Sequence, residues 1–129
     1  LRLGESGVLL TQKDVRAVQL AKSAVCSGLE SLMQATGTRP EEVRALLIAG
    51  GFGAFLDRKS AARIGLLPRA LADKASAVGN AAGMGALKLL LGKEYEKESV
   101  LLASNTQVLD LSTSPYFMER YVENMMFEG

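Results

Sequence analysis

The chain has no histidine, no tryptophan and a single cysteine, and each absence removes a class of chemistry. Without histidine there is no Ser/His/Asp or Cys/His catalytic arrangement and no HExxH metal site. Cys26 alone cannot build a disulfide framework, a CxxC redox pair or a thiolate cage for zinc or an iron–sulfur cluster. A bilayer span needs roughly 18 apolar residues in a row, and the most apolar stretch, GALKLLLGKEYEKE, is broken by Lys88 and then becomes strongly charged. The opening LRLGESGVLL has no basic segment followed by an apolar core, so no secretory signal is expected. Fifteen Lys and Arg are interspersed among fourteen Asp and Glu, which leaves no basic stripe for nucleic acid. The expectation is a soluble, cytoplasmic chain with neither nucleic acid nor membrane as a partner. What is present is 129 residues at 48% hydrophobic content, enough for one compact domain with an apolar core.

Thr11 followed by Asp14 has the form of a capping box, and Val15, Val18, Ala21, Val25, Leu29 and Leu32 recur at helical spacing, predicting one long helix over 12–35. Gly37 stops it. Pro40, Glu41 and Glu42 suit the first turn of a short helical connection. Residues 45–49 are continuously apolar, which predicts a central strand buried on both faces, as in a parallel sheet covered by helices. Asp57 is placed to cap a helix running to Gly65 and Pro68, and ALADKASAV reads as a connection with a short extended piece. Asn80 caps a second helix, AAGMGALKLLL, which ends at Gly92. Residues 93–103 then predict a charged helix, 107–111 a strand, and 115–127 a last helix started by Ser114 and Pro115; residues 1–10 form a leading segment or strand. The order is α/β with helices in the majority.

The chemistry-bearing feature is glycine. In LLIAGGFGAFLD (residues 46–57) an apolar strand runs into Gly50, Gly51 and Gly53, so another segment or a ligand must come close to that turn. Leu56 stands where GxGxxG would need its third glycine, and there is no GxxxxGK[ST]. Some thirty residues on, Gly79, Asn80, Ala81, Ala82, Gly83, Gly85 and Ala86 crowd the start of a helix. Small residues there let a helix press against a neighbour or let a flat ligand lie on it.

This pairing of a strand ending in Gly-Gly with a GxxxGA-like helix resembles the adenosine-binding half of the actin-like ATPases. Four segments, LTQKDVRAVQLAKSAVCSGLESLM, LLIAGGFGAFLDRKSAARIGLLP, AVGNAAGMGALKLL and LSTSPYFMERYVENMMF, are together similar to the C-terminal domain of the reductive activators of corrinoid proteins, from about Leu10 onward. The resemblance implies a helix-rich α/β lobe with a short central sheet, a single C-terminal subdomain (1–129) excised from a larger protein. It implies ATP and Mg²⁺ in that parent, a [2Fe–2S] ferredoxin domain outside this chain, and reduction of a corrinoid protein from Co(II) to Co(I) coupled to ATP hydrolysis. It also implies a nucleotide-facing role for Gly50, Gly51, Phe52, Gly53, Gly79 and Asn80, and for Gln19 and Lys22 if the middle of the first helix turns toward the nucleotide. The strand–DxG–hairpin pattern that holds phosphates in such ATPases is absent, so no residue here is assigned to catalysis or metal binding.

Each feature has a plainer reading. The glycines can serve only a tight turn, Asn80, Asp57 and Asp14 are helix caps, Lys13, Arg16 and Lys22 are a solvated helix face, and Cys26 is a small buried hydrophobe. Met118, Met125 and Met126, with Phe117, Tyr121 and Phe127, put apolar residues on more than one side of the last helix, as expected where it packs between two surfaces, in a homodimer or against the rest of a parent protein. The competing functions are a nucleotide-independent docking or dimerisation module and a lobe of a small-molecule kinase.

Overall fold

A computed structural model describes residues 1–127. Helix α1 (Gln12–Thr36) begins as the sequence dictates. Thr11 Oγ1 accepts from the Asp14 amide, and the Asp14 carboxylate accepts from the Thr11 amide at 2.8 Å. The bond the Asp14 carboxylate accepts from the Thr11 hydroxyl at 2.7 Å, and then the one from the Thr11 amide, hold that carboxyl below the usual range. The helix ends at Gly37, whose N–H turns back to Gln34 O.

Strand β1 (Leu46–Ala49) is followed by a single-turn helix α2 (Gly51–Ala54), helix α3 (Arg58–Arg63) and a 3-10 turn (Arg69–Lys74). Asp57 caps α3, its Oδ1 accepting from the Ser60 amide at 2.8 Å. The chain then returns as strand β2 (Ala75–Gly79), parallel to β1, with Leu46 opposite Ala75 and a register irregularity after Ile48. Helices α4 (Ala81–Leu91) and α5 (Lys93–Asn105) form a hairpin, and α6 (Pro115–Glu123), capped by Ser114, packs along α1.

The buried apolar core is small. Ala61, Leu66, Leu67 and Ala75 form its centre, with Leu29, Leu46, Ile48 and Leu56 packed against it. Leu71 is fully buried nearby.

Several sequence expectations give way. The strand starts at Leu46 and belongs to a two-stranded sheet, so it is not central. It is also not covered on both faces: its residues alternate, with Leu47 63% exposed. Four apolar residues looked doubly buried because sequence shows apolarity and not which layer is present to cover it. Pro40 to Glu42 form a turn closed by Glu42 N–H to Arg39 O, without a helix. Residues 107–111 are irregular, since no strand stands beside them among the described residues; Val108 is 94% exposed, and Asp110 makes a local turn by accepting from the Ser112 amide. The last helix stops at Glu123 with Asn124 as its C-cap, leaving Met125 and Met126 in a turn. Residues 1–10 fold back as a loop joined by one antiparallel bridge, Arg2 to Leu9.

The largest correction concerns the face of α1. Its buried stripe is Lys22, Ser23, Cys26, Ser27 and Ser31, whereas Val18, Val25 and Leu32 are exposed. Both stripes have helical period. The polar, small one was chosen because α6 offers it carbonyls and an amide.

Candidate functional site

Both strands end at one point. The Gly50 amide donates to Gly79 O at 2.7 Å, so the two glycine stretches meet at the carboxyl edge of the sheet, as their sequence suggested. Three reasons for glycine now separate. Gly50 and Gly79 sit at φ 92° and 65°, a left-handed conformation that disfavours any side chain. Gly53 is buried, and a Cβ there would stand 2.5 Å from Ile48 Cγ2, so it exists to let α2 press on β1. Gly51 has an ordinary φ and no atom within 4 Å of where its Cβ would stand. Nothing among the described residues requires glycine at position 51.

Around Gly51 the surface is open. Phe52 and, three residues later, Phe55 are 77% and 93% exposed on α2 and its cap. Sequence reading singled out Phe52 and missed Phe55, although the spacing of the two aromatics on one helical turn was visible. Asn80 caps α4, its Oδ1 accepting from the Gly83 amide at 2.9 Å, while its Nδ2 has no partner among the described residues. The single turn α2 and the helix α4 therefore both begin at the Gly50–Gly79 junction, and the dipole of α4 favours a negative charge at its start.

Lys22 and Gln19 do not join this junction. Lys22 is 2% exposed, contrary to a solvated face, and its ammonium donates to Asn124 O at 2.5 Å and Met126 O at 2.7 Å. It also lies 5.0 Å from the Phe127 ring centre. Gln19 Nε2 donates to Met125 O at 3.2 Å. The carbonyls that follow α6 lack helical partners, and these two side chains supply them. Lys13 and Arg16 are exposed, as expected, and Cys26 is buried.

The same seam contains a pair that sequence reading missed. Arg120 grips Glu30 through Nε at 2.8 Å and Nη2 at 3.0 Å, and Asn124 Nδ2 donates to Glu30 Oε2 at 2.9 Å and to Ser27 Oγ at 3.0 Å. Arg120 also pairs with Glu123, and Ser23 donates to Tyr121 O. Burial pushes the Glu30 carboxyl upward, but the bonds from Arg120 and Asn124 outweigh it and hold the group below its ordinary range. Ninety residues separate Glu30 from Arg120, and no local signal announces such a pair.

Among the described residues no cluster of three His, Cys, Asp or Glu side chains could hold a metal ion. No helix among them is long and apolar enough to cross a membrane.

The family described as "C-terminal domain of RACo the ASKHA domain" matches residues 2–129. The corrinoid activation enzyme RamQ of Eubacterium limosum is 40% identical over 120 residues, covering 93% of this chain and 20% of RamQ. A solved reductive activator for corrinoid, iron-sulfur protein superposes with a TM-score of 0.81 at 34% identity, covering 90% of this chain and 18% of that one. The chain thus spans about a fifth of the length of these relatives.

Proposed function

The chain belongs to the family of actin-like (ASKHA) C-terminal domains of RACo, and on that premise we propose that it forms one wall of an ATP site in a reductive activator of a corrinoid protein. The observation that carries this reading is Gly51: a glycine that neither backbone conformation nor packing requires, exposed where two helix amino ends converge. An adenosine can approach the bare backbone of Gly50 and Gly51, with Gly79 and Asn80 opposite, the Phe52 ring beside them, and Gly53 holding α2 in place from behind. Gln19 and Lys22 act at a distance from this wall, by fixing α6 to α1.

The reading assigns this chain binding, not bond breaking. Among the described residues there is no carboxylate cluster for Mg²⁺, and the one cysteine of the chain cannot ligate a [2Fe–2S] cluster. Mg²⁺ ligands, phosphate-binding hairpins and the redox centre would come from other parts of a longer protein. Reduction of Co(II) to Co(I) is uphill from ordinary ferredoxin donors. A two-lobed ATPase assists it if nucleotide and corrinoid partner prefer the same one of two conformations, a coupling typically of about 1–3 kcal/mol. The setting proposed is the cytoplasm, and the partners are a corrinoid protein and the remainder of the same longer protein, with a homodimer as a further state.

A docking role runs alongside. Leu90 and Leu91 on α4 are 85% and 74% exposed, and no residue of α4 or α5 is buried. An apolar hairpin of this kind suits cover by another domain.

The test follows the cobalt absorption of a cognate corrinoid protein mixed with the intact activator and reductant, with and without ATP. Co(I) is expected to accumulate only with ATP, and equal accumulation without it refutes the coupling. Gly51→Val should weaken ATP binding by at least about tenfold in calorimetry while the protein stays folded. Unchanged affinity would return the junction to a packing role.

A further inference from the structure

A concave site lies away from the glycine junction, between the middle of α1, the turn after α3 and the end of α6. It encloses about 290 Å³, and Lys22, Arg63, Gly65, Pro68, Arg120 and Asn124 are among its walls. None of Gly50, Gly51, Gly53, Gly79 or Asn80 lines it.

We propose that this cavity binds a small molecule through a carboxylate or phosphate group, received by the Lys22 ammonium with Arg63 at the rim. The charge balance of the walls is the first reason. Lys22, Arg63, Arg69 and Arg120 face the cavity against the carboxylates of Glu30 and Glu123, both of which pair with Arg120, so the walls carry more positive than negative charge. Lys22 is 2% exposed and no carboxylate among the described residues pairs with it. An ammonium has three donors. Two go to the neutral carbonyls of Asn124 and Met126, and the third has no acceptor among the described residues. Carbonyl dipoles and the Phe127 ring soften a buried positive charge but do not cancel it.

The access to that ammonium is the second reason. Gly65, at φ 79°, turns the chain past Lys22, and a Cβ on it would stand 3.2 Å from Lys22 Nζ. Any side chain there would crowd the ammonium from the α3 side. Arg63, exposed and without an ion pair among the described residues, adds a second positive charge at the mouth. The volume matches the lower end of small-molecule sites, near 300 Å³. Leu67, Pro68 and Met126 line it as well, so the ligand joins a compact, partly apolar body to its anionic group.

The experiment titrates the intact protein by calorimetry with inorganic phosphate and, separately, with propionate, in wild type, Lys22→Met, Arg63→Gln and Gly51→Val. One probe is expected to bind saturably, which decides between phosphate and carboxylate. Its affinity should fall at least about tenfold in Lys22→Met and about threefold in Arg63→Gln, and stay unchanged in Gly51→Val. If Lys22→Met does not fold, Arg63→Gln decides, because its side chain is exposed. The proposal is overturned if neither probe binds, if Arg63→Gln binds like wild type, or if only Gly51→Val loses binding, since the anion would then occupy the glycine junction.

Discussion

Along the α1–α6 seam, Ser27, Glu30, Arg120 and Asn124 bond to one another and Ser23 donates to the Tyr121 carbonyl, whereas the α4–α5 hairpin turns Leu90, Leu91, Val100, Leu101 and Leu102 to solvent. The usual arrangement is inverted: polar groups are enclosed and apolar ones left open. Burying a polar group is tolerable only when its partner is guaranteed, and here the partner is always in the same chain. Exposing leucines is disfavoured unless something covers them. The Glu30–Arg120–Asn124 network of the seam is thus satisfied within these residues, with the third donor of Lys22 left open beside it, whereas the leucines of the hairpin have no cover among the described residues. The glycines divide along the same line, with Gly53 packed against Ile48 on the closed side and Gly51 facing open space.

The largest expected effect uses that division. Gly53→Val would force a branched side chain where even a Cβ stands 2.5 Å from Ile48 Cγ2 and 3.2 Å from Ile48 O. Overpacking of this kind costs about 3 kcal/mol, while Gly51→Val should change stability by less than about 0.5 kcal/mol. Urea unfolding of the two variants measures both. Equal losses would mean that Gly51 is also packed.

Next comes the seam. Arg120→Met leaves Glu30, with its side chain 17% exposed, short of its main partner, and should cost about 2 kcal/mol. A double-mutant cycle with Glu30→Gln should recover part of that loss, because no charge is then left unpaired. If the two changes simply add, the pair is not coupled.

The pH dependence sharpens the same point. Glu30 has a folded-state pKa below its ordinary value, so its contribution is fully present above the unfolded pKa of about 4.3 and is lost as pH falls through the lower folded value. Wild type should therefore lose stability relative to Glu30→Gln on acidification below about pH 5. Thermal melts across that range, with identical slopes for the two proteins, would remove Glu30 from the acid limb.

How much of this was legible in the sequence follows from the range of each signal. Caps were readable: Thr11 with Asp14, Asp57, Asn80 and Ser114 all lie within three residues of the amide they serve. So was the meeting of the two glycine stretches, because a parallel pair with a crossover brings strand ends together. The face of α1 was not readable. Val18, Val25 and Leu32 form as good a stripe as Lys22, Cys26 and Ser31, and the choice was made by carbonyls and an asparagine about a hundred residues away. Residues 107–111 failed for a related reason, since a strand is defined by a neighbour that local sequence does not contain.

The smallest effect tests the open side. Leu90→Gln and Leu91→Gln replace two exposed leucines on α4 by a residue of nearly equal helix propensity, so neither backbone preference nor capping is disturbed. The principal packing partner of α4 is α5, and side chains at 85% and 74% exposure have little burial to lose. The double variant of this chain should unfold within about 0.5 kcal/mol of wild type, with no dependence on protein concentration. A loss near that of Arg120→Met would show that the hairpin face is already covered, by a second copy if the loss fades on dilution. In that event the contrast between a closed polar seam and an open apolar hairpin would no longer hold.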